Sequence, residues 1–305
     1  MTAPAPREHG GDGAAFAASL GVDPSAVLDL SASLNPVAPS VVPLFEDAAR
    51  SLGRYPDDTE ARQAIAAAVG VDAARVVVTN GGAEAIALVA AEYPNGRADL
   101  LDFGLYRRHL TDPADESGMR WRSNPHNPTG QLAADEHADV WDEAFHPLAT
   151  GTWTRGDDDA IRLGSLTKVF ACPGVRMGYV IARSDEEAAR IGARRPGWSV
   201  SGPACHMIPR LLDDPPLTEW RDAVAGLREQ LVDLLHGAGW QPEPSDVSYV
   251  WIPDAAGLRD ALAEHLILVR SGASFGFPDA VRIAVPDEPG LEHLAAALVS
   301  VQRAD

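Results

Sequence analysis

Cysteine is scarce: Cys172 and Cys205 are the only two in 305 residues. Two thiols cannot build a disulfide framework or a cysteine-rich metal site. Long apolar runs are missing as well. No stretch approaches the ~18 uninterrupted apolar residues of a membrane span. The opening Met1–Gly13 segment is proline, glycine and charge, without the apolar core of a signal peptide. Basic residues are outnumbered, 25 against 44 acidic ones, for a formal net charge of −19. That surplus argues against nucleic acid, which requires basic patches, and against docking on an anionic membrane. The histidines His109, His126, His137, His146, His206, His236, His265 and His293 show no HxxxH or HExxH pair, so no metal site is expected. What remains is a soluble, acidic, cytoplasmic α/β protein. Its 46% hydrophobic content suffices for a sizeable core, and its length suits about two domains.

The chain opens on a flexible arm. Ala26–Leu30 reads as a short strand and Thr59–Val69 as a helix, with Asp57, Asp58 and Thr59 as capping oxygens and Gly70 as its stop. Arg75–Thr79 is a short β-branched strand that runs straight into Gly81-Gly82 and the helix Ala83–Glu92. Leu100–Phe103, Ile161–Leu163 and Met177–Ala182 read as strands, and Asp185–Ala193 as a helix. Leu217, Trp220, Val224, Leu227, Leu231 and Leu234 recur three or four apart, which predicts a helix over Leu217–His236. After it come strand Val247–Ile252, helix Leu258–His265, strands Leu266–Arg270 and Val281–Val285, and helix Leu291–Gln302. The expected division is an N-terminal arm over 1–40 joined to a small C-terminal domain over 205–305, with a large domain over 41–204 and a boundary near Ser199–Cys205.

Four strings carry chemistry. In Ser165-Leu166-Thr167-Lys168, a lysine sits between a strand and a glycine-bearing loop, with Arg176 eight residues on. Burial beside another cation strips such a lysine of its proton and makes it a Schiff-base former. Ser165 and Arg176 suit a phosphate next to it. Taken alone, this string is more often a surface lysine in a Ser/Thr loop. Asn124-Pro125-His126-Asn127-Pro128-Thr129-Gly130 holds its backbone extended before each proline, which can fix the Asn127 amide as a donor. Trp141-Asp142-Glu143-Ala144-Phe145 offers a carboxylate for a protonated ring nitrogen, or else an acidic pair at a helix start. Thr79–Glu84 puts free backbone amides at a helix N-terminus, a phosphate site by construction. Its spacing matches neither GxxxxGK[ST] nor GxGxxG.

Together these strings resemble the fold-type I, pyridoxal-phosphate-dependent aminotransferase family. The resemblance runs from about His9 to Val285 and is carried, in family order, by Arg54-Tyr55-Pro56, Asn80–Glu84, Phe103–Tyr106, Asn124–Gly130, Asp142–Phe145, Ser165–Lys168 with Pro173–Tyr179, and Val281–Val285. It implies a three-layer α/β large domain around a mainly parallel sheet, with a smaller α/β C-terminal domain. It implies pyridoxal 5'-phosphate as cofactor, joined covalently to Lys168. Asp142 would keep the ring nitrogen protonated, Asn127 would donate to the ring's phenolic oxygen, Phe103 would stack on the ring, and Phe145 belongs to the same cofactor pocket. Gly82, Ala83, Glu84, Ser165 and Arg176 would hold the phosphate. Tyr55 would reach the cofactor phosphate of a neighbouring subunit, which implies a homodimer. Arg282 would clamp the substrate carboxylate.

Within the family, the Glu8-His9-Gly10-Gly11 opening and Leu28–Pro36 look like the threonine-phosphate decarboxylases of cobalamin biosynthesis, relatives of the histidinol-phosphate aminotransferases. That likeness makes His9, Asn35 and Arg270 ligands of a substrate phosphate. The activity it implies is decarboxylation of a phosphorylated amino acid. An aminotransferase is the alternative, and a non-catalytic cofactor-binding homologue a third reading. The sequence departs from the family in two places. Gln131–Trp141 lacks the usual helix and hydrophobic strand, and Arg107–Ser123 lacks an apolar strand, Met119–Arg122 being a poor replacement. A compact version of the fold is therefore expected, with pieces of the large domain trimmed.

Overall fold

The computed structural model describes residues 10–133 and 135–303. Helix α1 (Gly13–Leu20) leads to strand β1 (Leu28–Leu30) and helices α2 (Val42–Ala48) and α3 (Thr59–Val69). Strand β2 (Val76–Thr79), helix α4 (Gly82–Glu92), strand β3 (Gly96–Arg97), helix α5 (Gly104–His109), strand β4 (Met119–Ser123) and strand β5 (Val140–Asp142) follow. Next are helix α6 (His146–Thr150), strand β6 (Ile161–Ser165), the one-turn helix α7 (Leu166–Val169), strand β7 (Gly178–Ile181) and helices α8 (Asp185–Gly192), α9 (Gly202–Leu211) and α10 (Leu217–Gly237). The chain closes with β8 (Tyr249–Ile252), α11 (Leu258–Ala263), β9 (Ile267–Ser271), β10 (Val281–Ala284) and α12 (Glu288–Leu298). None of the described helices is long and apolar enough to cross a membrane.

Six strands form the larger sheet in the order β2-β7-β6-β5-β4-β3. Strand β7 is antiparallel to both neighbours, and β6, β5, β4 and β3 run parallel. The period of two along a strand sorts its side chains between two helical layers. In β2, Val76 and Val78 pack with α3 and α9, while Val77 packs with α4 and α8. Both faces are covered, so this strand reads as an unbroken apolar run rather than an alternation.

The second sheet has the order β1-β9-β10-β8, with β1 parallel to β9 and β10 antiparallel to both neighbours. The N-terminal segment thus completes a C-terminal sheet. One face buries Val269, Val281 and Ile283 against α10, α11 and α12. The alternate positions carry Arg270 and Arg282, which are register partners on adjacent strands. Helix α9 stays with the larger sheet, because Ala204, Cys205, Met207 and Ile208 lie in its core. The passage to the smaller sheet runs along α10 instead of through Ser199–Cys205. Leu217 and Trp220 of α10 belong to the first core, Leu227, Leu231 and Leu235 to the second.

Three local expectations need correction. Leu100–Phe103 is a turn, closed by the Asp102 amide on the Asp99 carbonyl (3.0 Å) and the Asp99 amide on the Asp102 carboxylate (3.0 Å); the edge strand lies earlier, at Gly96–Arg97. Met119–Ser123 does form the strand before the Asn-Pro string. Its apolar content is low, but its alternation is sound: Trp121 and Ser123 are buried, while Arg120 and Arg122 pair with Glu136 at 2.8 and 2.5 Å. Helix α12 begins at Glu288, three residues before Leu291, because the Asp287 carboxylate accepts from the Gly290 amide at 2.9 Å. The trimming itself is visible between β4 and β5: among the described residues, 124–139 join these parallel strands with no helix.

Trp121 of β4 is fully buried in the core of the larger sheet. Trp121→Ala should cost about 3–5 kcal/mol, measured as a lowered urea midpoint at unchanged slope.

Candidate active site

The ends of β4, β5 and β6, the start of α4 and the paired arginines of the smaller sheet converge on one cavity of about 530 Å3. Its lining includes Gly82, Ala83, Phe103, Asn127, Asp142 and Phe145, and also Ser165, Lys168, Arg176, Arg270 and Arg282. A larger hollow of about 840 Å3 near Pro209–Glu219 contains no lysine.

Lys168 sits on α7, immediately after β6, and its Nζ lies 5.7 Å from the centre of the Phe145 ring. Its pKa is pushed down to about 7, first by burial and then by the charges of Arg282, Arg270 and Arg176, with Asp142 opposing. By area the residue is only half-buried, because the cavity it faces is open. A molecule filling that cavity would complete its enclosure.

Asp142 ends β5. One carboxylate oxygen accepts from the Tyr106 hydroxyl at 2.8 Å and the other from the Ala144 amide at 3.0 Å. Burial raises its pKa above the usual carboxylate value, against the pull of those two bonds and of Lys168. Tyr106 is itself buried and held well above the ordinary phenol value, so it stays a donor. Asn127 is fixed from two sides: its amide donates to Ser123 Oγ at 2.8 Å, and its side-chain oxygen accepts from Arg282 Nη1 at 2.6 Å. The Asn127 side-chain NH2 thereby keeps its donors for another partner. Arg282 also donates to the Ser31 carbonyl at 3.2 Å and stacks 4.7 Å from the Tyr249 ring centre. Burial lowers its pKa to about 10, still leaving it a cation at neutral pH. Arg270 lies 4.4 Å from the centre of Phe275 and 5.8 Å from that of Phe103.

The turn between β2 and α4 requires glycine. Gly81 has φ +80, and a Cβ there would collide with the Arg176 guanidinium. A Cβ on Gly178, the partner of Thr79, would come within 2.5 Å of the Gly81 carbonyl carbon. Strand end, turn and arginine are therefore nested, and the first amides of α4 open on the cavity. The Glu84 side chain turns back to accept from the Asn80 amide (2.6 Å) and Ser199 Oγ (3.0 Å).

Three other residues singled out in the sequence stand elsewhere. His9 lies outside the described residues. Tyr55 is exposed and stacks on Trp198 at 4.6 Å between ring centres, away from this chain's cavity. Asn35 does not line the cavity; its side chain donates to the Val169 carbonyl at 2.9 Å and accepts from the Val37 amide at 3.1 Å. Sequence reasoning also passed over Tyr106 and Ser123, although the Phe103-x-x-Tyr106 spacing puts both aromatics on one side of α5.

Comparison with known proteins agrees with this geometry. The model of the family described as aminotransferase class I and II matches residues 100–298, more than half of the chain. The chain belongs to that family. It is 28% identical to the threonine-phosphate decarboxylase of Salmonella typhimurium, over 96% of each chain. It is 24% identical to histidinol-phosphate aminotransferase 1 of Dechloromonas aromatica, over 90% of each. Its fold matches that of the Sinorhizobium meliloti histidinol-phosphate aminotransferase solved with pyridoxal 5'-phosphate, with a TM-score of 0.75 at 20% identity, covering 88% of this chain and 89% of that one.

This aminotransferase-family protein is thus a pyridoxal-phosphate-dependent enzyme, and its residues fit that cofactor. The start of α4 and Arg176 would suit its phosphate, the buried Asp142 carboxylate a protonated ring nitrogen, and the Lys168 amine, with its lowered pKa, its aldehyde. Thr167 Oγ1, buried at the cavity wall, has no hydrogen-bond partner among the described residues.

The Lys168 pKa has a consequence for stability. It is about 7 folded against 10.5 for a free lysine. The unfolded chain therefore binds one more proton between those values, and stability rises with pH across that window. The penalty is full below pH 7. Lys168→Met should raise the melting temperature of the cofactor-free chain at pH 6, with the gain shrinking as pH climbs toward 10.5; a gain independent of pH would contradict this.

Proposed function

We propose that this enzyme decarboxylates a phosphorylated α-amino acid, with O-phospho-L-threonine as the substrate that best fits the site. The observation that carries the reading is the charge of the cavity. Lys168, Arg176, Arg270 and Arg282 line it together with two carboxylates, Asp29 and Asp142, in a chain of net charge −19. That is more positive charge than a single cofactor phosphate calls for. A substrate bearing both a carboxylate and a phosphate matches it.

Bound pyridoxal 5'-phosphate supplies an electron sink for the bond at the substrate α-carbon that stands perpendicular to its ring. The chain's own residues choose that bond. In this reading Gly82, Ala83, Glu84, Ser165 and Arg176 hold the cofactor phosphate through amides, hydroxyl and guanidinium. Asp142, kept in place by Tyr106, faces the ring nitrogen. Asn127, braced by Arg282, donates to the ring's phenolic oxygen, and Phe103 and Phe145 enclose the ring. Arg282 grips the carboxylate in a bidentate manner that lysine cannot copy. Arg270 takes the substrate phosphate together with His9, which in sequence directly precedes the cavity-lining Gly10 and Gly11. Gly10 is there because a Cβ would strike the Ser31 carbonyl. The Lys168 amine, near neutrality in proton affinity, returns a proton to the α-carbon once CO2 has left. The active unit is a homodimer in the cytoplasm, with exposed Tyr55 reaching the cofactor phosphate of the neighbouring subunit.

Transamination is the second reading, supported by the several relatives named histidinol-phosphate aminotransferase. The two part at one measurement. The loaded enzyme given O-phospho-L-threonine should release CO2 in step with substrate loss; keto-acid formation without CO2 would decide for transamination. Arg282→Lys should lower kcat/KM about a hundredfold or more, as expected when a buried hydrogen-bonded charge pair is broken.

A further inference from the structure

We propose that Asn35 is a positioning residue for Lys168, strapping the reactive turn to the N-terminal segment, and that it does not itself bind substrate. The inference rests on Lys168 being the reactive amine.

Helix α7 has only four residues, too few to hold itself by its own hydrogen bonds. Amides just beyond it serve three of its carbonyls: Phe170 donates to Leu166 at 3.0 Å, Cys172 to Thr167 at 3.1 Å and Ala171, at a long 3.5 Å, to Lys168. Asn35 supplies the short bonds at the last two carbonyls. Its backbone amide donates to the Lys168 carbonyl at 3.0 Å, and its side-chain NH2 donates to the Val169 carbonyl at 2.9 Å. Its side-chain oxygen is used as well, accepting from the Val37 amide at 3.1 Å. The residue is 3% exposed. Its neighbours Ala32 and Leu34 line the cavity, and Asn35 does not. The side-chain oxygen and one of the two N–H donors are committed to backbone, in a buried residue that is not part of the cavity lining.

The same segment is held at its other end. The Ser31 carbonyl accepts from Arg282 Nη2 at 3.2 Å, and the Ser31 hydroxyl donates to Asp29 and accepts from the Gly11 amide (2.8 Å). Residues 31–35 therefore tie the arginine of one sheet to the lysine turn of the other. With the strap cut, α7 frays, the ammonium gains water, and it regains affinity for its proton.

The test reads Lys168 directly. The full chain, stripped of cofactor, is treated with trinitrobenzenesulfonate across a pH series, and modification of Lys168 is followed by mass spectrometry. The wild type should show a midpoint near 7. Asn35→Ala, and Asn35→Leu, which keeps the volume but not the donor, should move it up by one pH unit or more. The visible absorbance of the loaded variants should titrate with the same displacement. A wild-type midpoint near 10.5 would overturn the reactive-lysine reading and this inference with it. A low wild-type midpoint that both variants retain, with only the melting temperature lowered or only KM for the phosphorylated substrate raised, would overturn the inference alone. If neither variant folds, amide exchange in the wild type decides. The Asn35 and Val37 amides should be protected as strongly as those of β6, and exchange at loop rates would refute the strap.

Discussion

Four cationic side chains share one small cavity with two carboxylates, Asp29 and Asp142, of which Asp142 acts on Lys168. Like charges in a poorly hydrated space repel, and the cheapest relief available to the chain is for Lys168 to give up its proton, since the arginines hold theirs far more tightly. The low proton affinity of the amine follows from burial first and from that crowding second. The appetite of the site for anions follows from the crowding as well: every phosphate or carboxylate that enters restores neutrality. The surrounding protein is arranged to sustain the crowding. Arg270 and Arg282 are fixed by strand register, Arg176 by a glycine turn that leaves it room, and Lys168 by a helix too short to stray.

The two sheets contribute different things to this arrangement. The larger one delivers the glycine turn, Asn127, Asp142 and Lys168 from the ends of neighbouring strands, the usual place for ligands in open α/β sheets. The smaller one delivers two guanidinium groups from its inward face. Asn127 is where they meet, since its oxygen is taken by Arg282 and its amide by Ser123. A bond between the two sheets thus orients a donor whose partner is yet to arrive.

The elements legible in the sequence were those with a local cause. Helix α3 has its caps, β2 its β-branched run, and α10 its spacing of leucines. The cavity was legible because its residues sit in short strings whose chemistry depends on immediate neighbours. What escaped was decided at long range. The Met119–Ser123 strand looks too polar until Glu136, seventeen residues beyond Met119, supplies the countercharge for its two arginines. Leu100–Phe103 is the local exception: it looks like a strand, yet Asp99 and Asp102, three residues apart, close it into a turn. Asn35 resembles a substrate ligand by position, and its side-chain bonds to Val169 and Val37 are contacts that no local pattern announces.

Helix α10 sets its first turn, Leu217 and Trp220, in one hydrophobic core and Leu227, Leu231 and Leu235 in the other. A rod rooted at both ends in packed side chains resists any hinge between the two sheets, because swinging one against the other would pull Trp220 or Leu227 out of its socket. The lysine of the larger sheet and the arginines of the smaller one are thereby kept at a set spacing across the cavity.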